Sequence, residues 1–286
     1  MPTLTHETIN WIETILNQSI KRIVTIPHAL TNQCYKIEAQ SGAFYFFKLY
    51  NSNKVTLSER KTEQQVTDFL ANHKLTLRPI AYHDKLGCEL SNYIEAEPLS
   101  LSPEQQHTTI TLLSDCLFYL HQFKQETQCL PLIQQRLVYD VQKLLNIRNQ
   151  NTNCTEIDKG RVKRNDKTNE DTIRYILNLA DKLDKAAAHD DALNCLCHGD
   201  LSIHNVLAST PPTIIDWEYA RRAPPEYDLA ACITINQLNK SQQALLIDQY
   251  LQKTALSTTE QDTFKLRTQD YISVFMTLNK LWFNLH

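Results

Sequence analysis

Cys197-His198-Gly199-Asp200-Leu201-Ser202-Ile203-His204-Asn205 is followed shortly by Ile214-Ile215-Asp216-Trp217-Glu218-Tyr219-Ala220. An aspartate, an asparagine five positions on and a second aspartate behind two β-branched residues make an ordered set of oxygen donors. Each has a plain structural reading: Asp200 and Asp216 as turn or capping residues, Asn205 as a strand-end residue, His198 as a hydrogen-bonded core histidine. Taken together the order and spacing outweigh those readings, because caps and turns have no reason to reproduce them. Val206-Leu207 and Thr213-Ile214-Ile215 flank Pro211-Pro212, so a hairpin there is expected to return Asp216 towards Asn205, where both can face one metal ion.

The composition narrows the field around that stretch. A chain of 286 residues has room for one large domain or two lobes. With 42% hydrophobic and 21% charged residues it is too apolar for a disordered protein. A net charge of -3 argues against nucleic acid as the main partner. No apolar run is long enough to span a bilayer, and the first ten residues lack the order of a signal peptide, so no membrane partner and a cytoplasmic location are expected. The eight cysteines form no C-x-x-C pair and read as buried thiols, with a Cys195/Cys197 redox or metal pair as the alternative. Only Gly42, Gly87, Gly160 and Gly199 occur, so neither a Walker A loop nor a G-x-G-x-x-G turn can be written in this chain.

Periodicity predicts an amphipathic helix over 5–20 with Thr5 as N-cap, and strands over 22–26, 34–39 and 43–50, the last two joined by a Ser41-Gly42 turn. Trp11 reads as a core contact of that helix. In Tyr45-Phe46-Phe47-Lys48-Leu49-Tyr50 a lone lysine sits among aromatics, either on a solvated strand face or placed there for function. A helix over 59–75 follows, with Glu59 and Glu63 one turn apart. Strands are expected over 79–82, 88–93 and 94–99, and the lobe boundary near Glu95, giving an N-terminal nucleotide-binding lobe at 1–95 and a C-terminal catalytic and acceptor-binding lobe at 96–286. Helices are expected over 108–123, 132–147, 172–188, 241–251 and 264–285, with another opening at Asp228. The polar stretch 149–171 reads as a surface loop, and its Lys159-Gly160-Arg161-Val162-Lys163-Arg164 run as solvated charge. Cys195-Leu196-Cys197 is expected to be a short strand.

Phosphoryl transfer to an alcohol needs a base near the hydroxyl, hard oxygen ligands for magnesium and a cation on the nucleotide phosphates. H-x-D-L-x-x-x-N is the pattern of a protein-kinase catalytic loop, and a strand lysine paired with a helix glutamate is that class's phosphate grip. Asp200 then reads as base, Asn205 and Asp216 as Mg2+ ligands, and Lys48 with Glu63 as the grip.

The chain resembles the aminoglycoside phosphotransferase and choline kinase superfamily. The resemblance is carried by His198-Gly199-Asp200 to Asn205, by Ile215-Asp216-Trp217-Glu218-Tyr219-Ala220 and by Tyr227-Asp228-Leu229-Ala230, and covers about residues 20 to 285. Leu30-Thr31-Asn32-Gln33-Cys34-Tyr35 is similar to that family's phosphate loop, and Tyr93-Ile94-Glu95-Ala96-Glu97-Pro98-Leu99 to its hinge. Two departures stand out: His28-Ala29 and Ala96 replace glycines, and a Cβ there limits how closely the loop backbone approaches a phosphate.

The resemblance implies an α+β, bilobal, protein-kinase-like fold with a small β-rich N-lobe and a larger, mostly helical C-lobe. It implies ATP and Mg2+ as cofactors, with Thr31, Asn32, Tyr93 and Ile94 at the nucleotide and adenine at the hinge. The implied acceptor is a small-molecule alcohol, and the I-D-W-E-Y-A wording is closest to bacterial choline/ethanolamine and thiamine kinases. Trp217, Glu218, Tyr219, Tyr271, Trp282 and Phe283 are the candidates for its pocket, the aromatic ones as a wall for a quaternary nitrogen. A thiamine kinase, an aminoglycoside phosphotransferase and a nucleotide-binding pseudokinase stay open as alternatives, as do ATP against GTP and the oligomeric state.

Overall fold

The alternating runs near the start of the chain build a five-stranded antiparallel sheet. Its strands are β1 (Ile20–Ile26), β2 (Gln33–Ala39), β3 (Phe44–Leu49), β4 (Ala81–His83) and β5 (Cys88–Asn92), in the order β1-β2-β3-β5-β4. This computed structural model describes residues 4–27, 32–51, 56–124, 126–155 and 166–283, the side chains at 149–155, 166–169 and 283 excepted. Period-2 alternation in β2 buries Tyr35, Ile37 and Ala39 on one face and leaves Cys34, Lys36 and Glu38 half-buried on the other. The buried face packs with Ile12, Phe47, Cys88 and Leu90 into a core.

Helix α1 (His6–Leu16) covers that core. The Thr8 N–H donates to Thr5 Oγ1, so Thr5 is its N-cap. The helix ends short of residue 20 because Asn17 takes the left-handed conformation (φ 50°) that closes it. Trp11 packs against Phe47 and His83, with ring centroids 6.4 and 5.6 Å away. Helix α2 (Leu57–Asn72) opens on a capping box in which Thr56 and Glu59 satisfy each other's backbone N–H groups. That role separates Glu59 from Glu63: the first is half-buried and caps the helix, the second is buried.

The chain divides into two compact units, one running to Pro98 and also taking in Val206–Glu218, the other comprising Leu99–Asn205 and the chain from Tyr219. The first unit therefore recovers a distant piece of sequence, the hairpin of β8 (Val206–Leu207) and β9 (Thr213–Ile214), with Val206 opposite Ile214. The strand expected over 94–99 reduces to an isolated bridge between Pro98 and Leu207, joined by the Ala208 N–H donating to the Glu97 carbonyl at 2.9 Å.

Helices α3 (Gln106–Leu120), α4 (Leu137–Thr155), α5 (Asp166–His189), α6 (Pro225–Ile235), α7 (Lys240–Leu251) and α8 (Thr258–Phe283) dominate the second unit. It also holds a three-stranded sheet in the order β6 (Ile133–Gln134), β10 (Arg221–Ala223), β7 (Cys195–Cys197). The helix expected from 132 starts at 137 because 133–134 pair with β10 and because Asp184 accepts the Leu137 and Val138 N–H groups, both at 3.0 Å. The expected loop over 149–171 is corrected at both ends, since α4 reaches 155 and α5 begins at 166. The run at 159–164 lies outside the described residues. Helix α6 opens at Pro225 rather than at Asp228, with proline in the first turn, where its missing N–H costs nothing. Among the described cysteines Cys129 is exposed and Cys34 half-buried, against the expectation of uniform burial. No described helix is long and apolar enough to cross a membrane.

Candidate active site

In the first unit Lys48 is the organising charge. Alternation puts it on the half-buried face of β3, opposite Cys34 on β2 and Glu89 on β5. Its ammonium donates to Glu63 of α2 and to Asp216, both at 2.8 Å, and only 6% of the side chain is exposed. Burial works to lower the Lys48 pKa, but Asp216 and Glu63 more than offset it and hold the group cationic. Burial in turn pushes the Glu63 carboxyl up, against the pull of Lys48. Glu89 is pushed up as well, again by burial, and accepts from the Tyr50 hydroxyl at 2.8 Å.

Asp216 follows β9 with φ at +65°, a left-handed conformation that a non-glycine residue adopts at a cost of about 1 kcal/mol or more. Its carboxylate is thereby turned to Lys48. Two residues on, Glu218 accepts from the Asn32 side-chain amide at 2.9 Å. Asn32 is itself buried, and its carbonyl accepts the Asn51 N–H at 3.2 Å.

In the second unit the loop after β7 is shaped from beneath by Asp228. This buried carboxylate accepts the His198 and Gly199 N–H groups at 2.8 Å each and lies 3.4 Å from His121 Nε2. Burial alone would raise its pKa; the His121 hydrogen bond and the surrounding donors prevail and lower it. Gly199 turns the chain with φ at +79°. Asp200 comes next and is half-buried, with its N–H donating to His198 Nδ1 at 3.2 Å. The Asn205 amide donates to the Asp200 carbonyl at 2.8 Å and to its carboxylate at 3.3 Å. Asn236 closes the far side, accepting from the Ile203 N–H and donating to the Leu201 carbonyl.

The structure thus brings Lys48, Glu63 and Asp216 together in one unit and Asp200 and Asn205 together in the other. Asp216 offers a carboxylate. The Asn205 amide nitrogen faces Asp200, which leaves its carbonyl oxygen directed elsewhere. Both are hard oxygen donors of the kind magnesium takes.

Tyr93 is half-buried, extends the ladder through its N–H to the Phe44 carbonyl at 3.1 Å, and lies under the Lys36 ammonium, 4.0 Å from its ring centroid. Ile94 beside it is half-buried. Thr31 and the His28-Ala29 pair lie outside the described residues, as does the side chain of Phe283. Two candidates for the acceptor wall are corrected to core residues. Trp217 is 2% exposed with its indole N–H on the Ile214 carbonyl, and Tyr271 is 1% exposed with its hydroxyl on Gln135. Trp282 remains half-buried near the end of α8, and Tyr219 is exposed.

Nothing local in the sequence marks Glu89, His121 or Asn236, and Asp228 is reached only through the resemblance. Each acts across a long sequence separation. His121, Cys195 and Cys197 lie close enough together to hold a metal ion. Their polar atoms are already committed: the imidazole to Tyr250 and Asp228, both thiols to the Ala223 carbonyl. Burial pushes the Cys197 thiol well up, and with these internal hydrogen bonds the cluster reads as core packing.

A small β-rich unit with a lysine–glutamate pair on its sheet, and a larger helical unit with an H-x-D-x-x-x-x-N loop, define a bilobal protein-kinase-like phosphotransferase. The chain belongs to the phosphotransferase enzyme family, whose sequence profile matches residues 22–264. No curated protein matches it. Among solved structures it is similar to the choline kinase LicA of Streptococcus pneumoniae, at 18% identity over 96% of this chain and 90% of the other, with a TM-score of 0.63. The Plasmodium vivax ethanolamine kinase is similar at 18% identity, 93% and 77% coverage and a TM-score of 0.63. A spectinomycin phosphotransferase solved with ADP and spectinomycin is similar at 17% identity, 96% and 88% coverage and a TM-score of 0.60.

Proposed function

We propose that this protein is an ATP-dependent kinase of a small cationic alcohol of the choline or ethanolamine type. The observation that carries the phosphotransfer reading is the buried Lys48 held between Glu63 and Asp216, because a cation fixed there has no packing purpose that an apolar residue would not serve better. The acceptor class rests on the I-D-W-E-Y-A wording, and choline and ethanolamine kinases among the structural neighbours support it.

Asp200 is the base. It takes the proton of the acceptor hydroxyl as that oxygen bonds to the γ-phosphorus and the bond from phosphorus to the ADP oxygen breaks. Asn205 fixes the Asp200 carboxylate, and Lys48 grips the α- and β-phosphates with Glu63 holding it in place. Thr31, Asn32, Tyr93 and Ile94 belong to the nucleotide side, and a boundary near residue 95 separates nucleotide from acceptor functions apart from the returning segment Val206–Glu218. Asn205 and Asp216 would hold magnesium, which supplies charge neutralisation on the phosphate oxygens.

A coupled ADP-release screen against choline, ethanolamine, thiamine, spectinomycin and aminoglycosides tests the reading. Turnover of choline or ethanolamine, falling by roughly 10²–10⁴ in Asp200→Asn, is expected. Turnover of spectinomycin or an aminoglycoside alone would replace the acceptor class. Magnesium-dependent nucleotide binding with no turnover of any acceptor would leave a pseudokinase.

A further inference from the structure

Among the described residues, two side-chain bonds join the segment carrying Asp216 to the first unit's sheet, and they do not respond alike to a nucleotide. One is the 2.8 Å bond from Lys48 on β3 to Asp216. The other is the 2.9 Å bond from Asn32, which directly precedes β2, to Glu218. Between them the Trp217 indole is buried and bonded to the Ile214 carbonyl. The orientation of the Asn32 amide follows from its neighbours: a backbone N–H, from Asn51, can only donate, so the Asn32 carbonyl must face it and the NH2 must face Glu218.

Asp216 shares the Lys48 ammonium with Glu63. If Lys48 engages nucleotide phosphates, as the proposed function requires, its hold on Asp216 weakens at the moment that carboxylate is needed. The left-handed backbone at Asp216 does not hold itself, being unfavourable for a residue with a Cβ. The bond between Asn32 and Glu218 involves no lysine and survives that exchange. We infer that Glu218 is a positioning residue: through Asn32 it keeps Asp216 in its metal-binding conformation while Lys48 is drawn to the nucleotide. It is thereby withdrawn from the acceptor candidates. The inference rests on the kinase reading for its nucleotide half, and on geometry alone for the tether.

A charge-swap cycle tests it. Asn32→Asp sets two carboxylates face to face, Glu218→Gln removes the charge the amide binds, and the double variant N32D/E218Q restores one donor and one acceptor in reversed order. In the nucleotide-free protein, hydrogen exchange is expected to speed up at residues 215–218 in each single variant and to recover in the double. In calorimetric titrations with a non-hydrolysable ATP analogue, the magnesium concentration at half-saturation is expected to rise about tenfold in Asn32→Asp, to rise by less, about threefold, in Glu218→Gln, whose amide oxygen still accepts a neutral hydrogen bond, and to return to within about twofold in the double.

A loss confined to Glu218→Gln with no response to Asn32→Asp, or a double variant no better than the worse single, would overturn the inference. Should N32D fail to fold by circular dichroism, Asn32→Ala removes the donor without adding charge and is read by the same two measurements. Wild-type protein that binds no nucleotide with magnesium would sink the kinase reading, while the exchange arm would still decide whether the tether exists.

Discussion

A Cβ built on Gly199 would fall 2.5 Å from the carbonyl oxygen of Tyr219, well inside contact distance of a backbone atom that has no freedom to move aside. The glycine is therefore required twice, for its φ of +79° and for this approach. Gly199→Ala is expected to destabilise the protein by about 2–4 kcal/mol in urea unfolding and to abolish turnover. A fully stable, active alanine variant would show that the loop has room the structure denies it.

Removing the cation from the buried charge cluster has a second expected outcome. Lys48→Met leaves Glu63 buried without its counter-charge, at a cost of about 3–5 kcal/mol. The double variant K48M/E63Q is expected to recover more than half of that stability while recovering none of the activity. Thermal or urea unfolding beside the ADP-release assay separates the two effects.

Acid sensitivity is expected to centre on Asp228. Its folded pKa is lowered, so its stabilising contribution is present above the unfolded value of about 3.9 and is lost as pH falls through the folded value. Stability measured from pH 7 down to pH 2 is expected to fall steeply in that lowest stretch, and Asp228→Asn is expected to be less stable at neutral pH with a flatter acid limb. An unchanged acid limb in the variant would assign the loss to other carboxylates.

Asp184 caps α4 from another helix. Its carboxylate accepts two backbone N–H groups and the Gln135 side chain, and Gln135 in turn accepts from Tyr271. Asp184→Ala is expected to cost about 1–2 kcal/mol, the worth of a helix cap, and to expose the start of α4 to hydrogen exchange without changing nucleotide affinity.

Much of the first unit was legible because its first three strands run over six or seven residues and its helix starts carry local caps. Thr5 and the turn at Ser41-Gly42 are signals of that kind. Lys48 stood out as a charge among aromatics. Strands β6 and β10 were not legible: two or three residues carry no measurable period, and their pairing partners lie far away in sequence. The start of α4 was misplaced for a related reason, since its cap is Asp184, nearly fifty positions on. Glu63 was legible as the partner of Lys48 from its order and element type, whereas the role of Glu59 in the capping box was not read. Trp217 and Tyr271 misled because an aromatic side chain suits a ligand wall and a core equally well, and only burial separates the two.

The return of Val206–Glu218 to the first unit has a consequence for how the protein is made. An emerging chain completes β1 to β5 long before Asp216 leaves the ribosome, so Lys48 and Glu63 spend that interval without the second carboxylate. Vectorial synthesis cannot finish the first unit until Leu99–Asn205 has also been made. A protein truncated after Pro98 would accordingly be a sheet whose buried lysine has lost one of its two partners, and the two halves of this fold are expected to mature as one event rather than in succession.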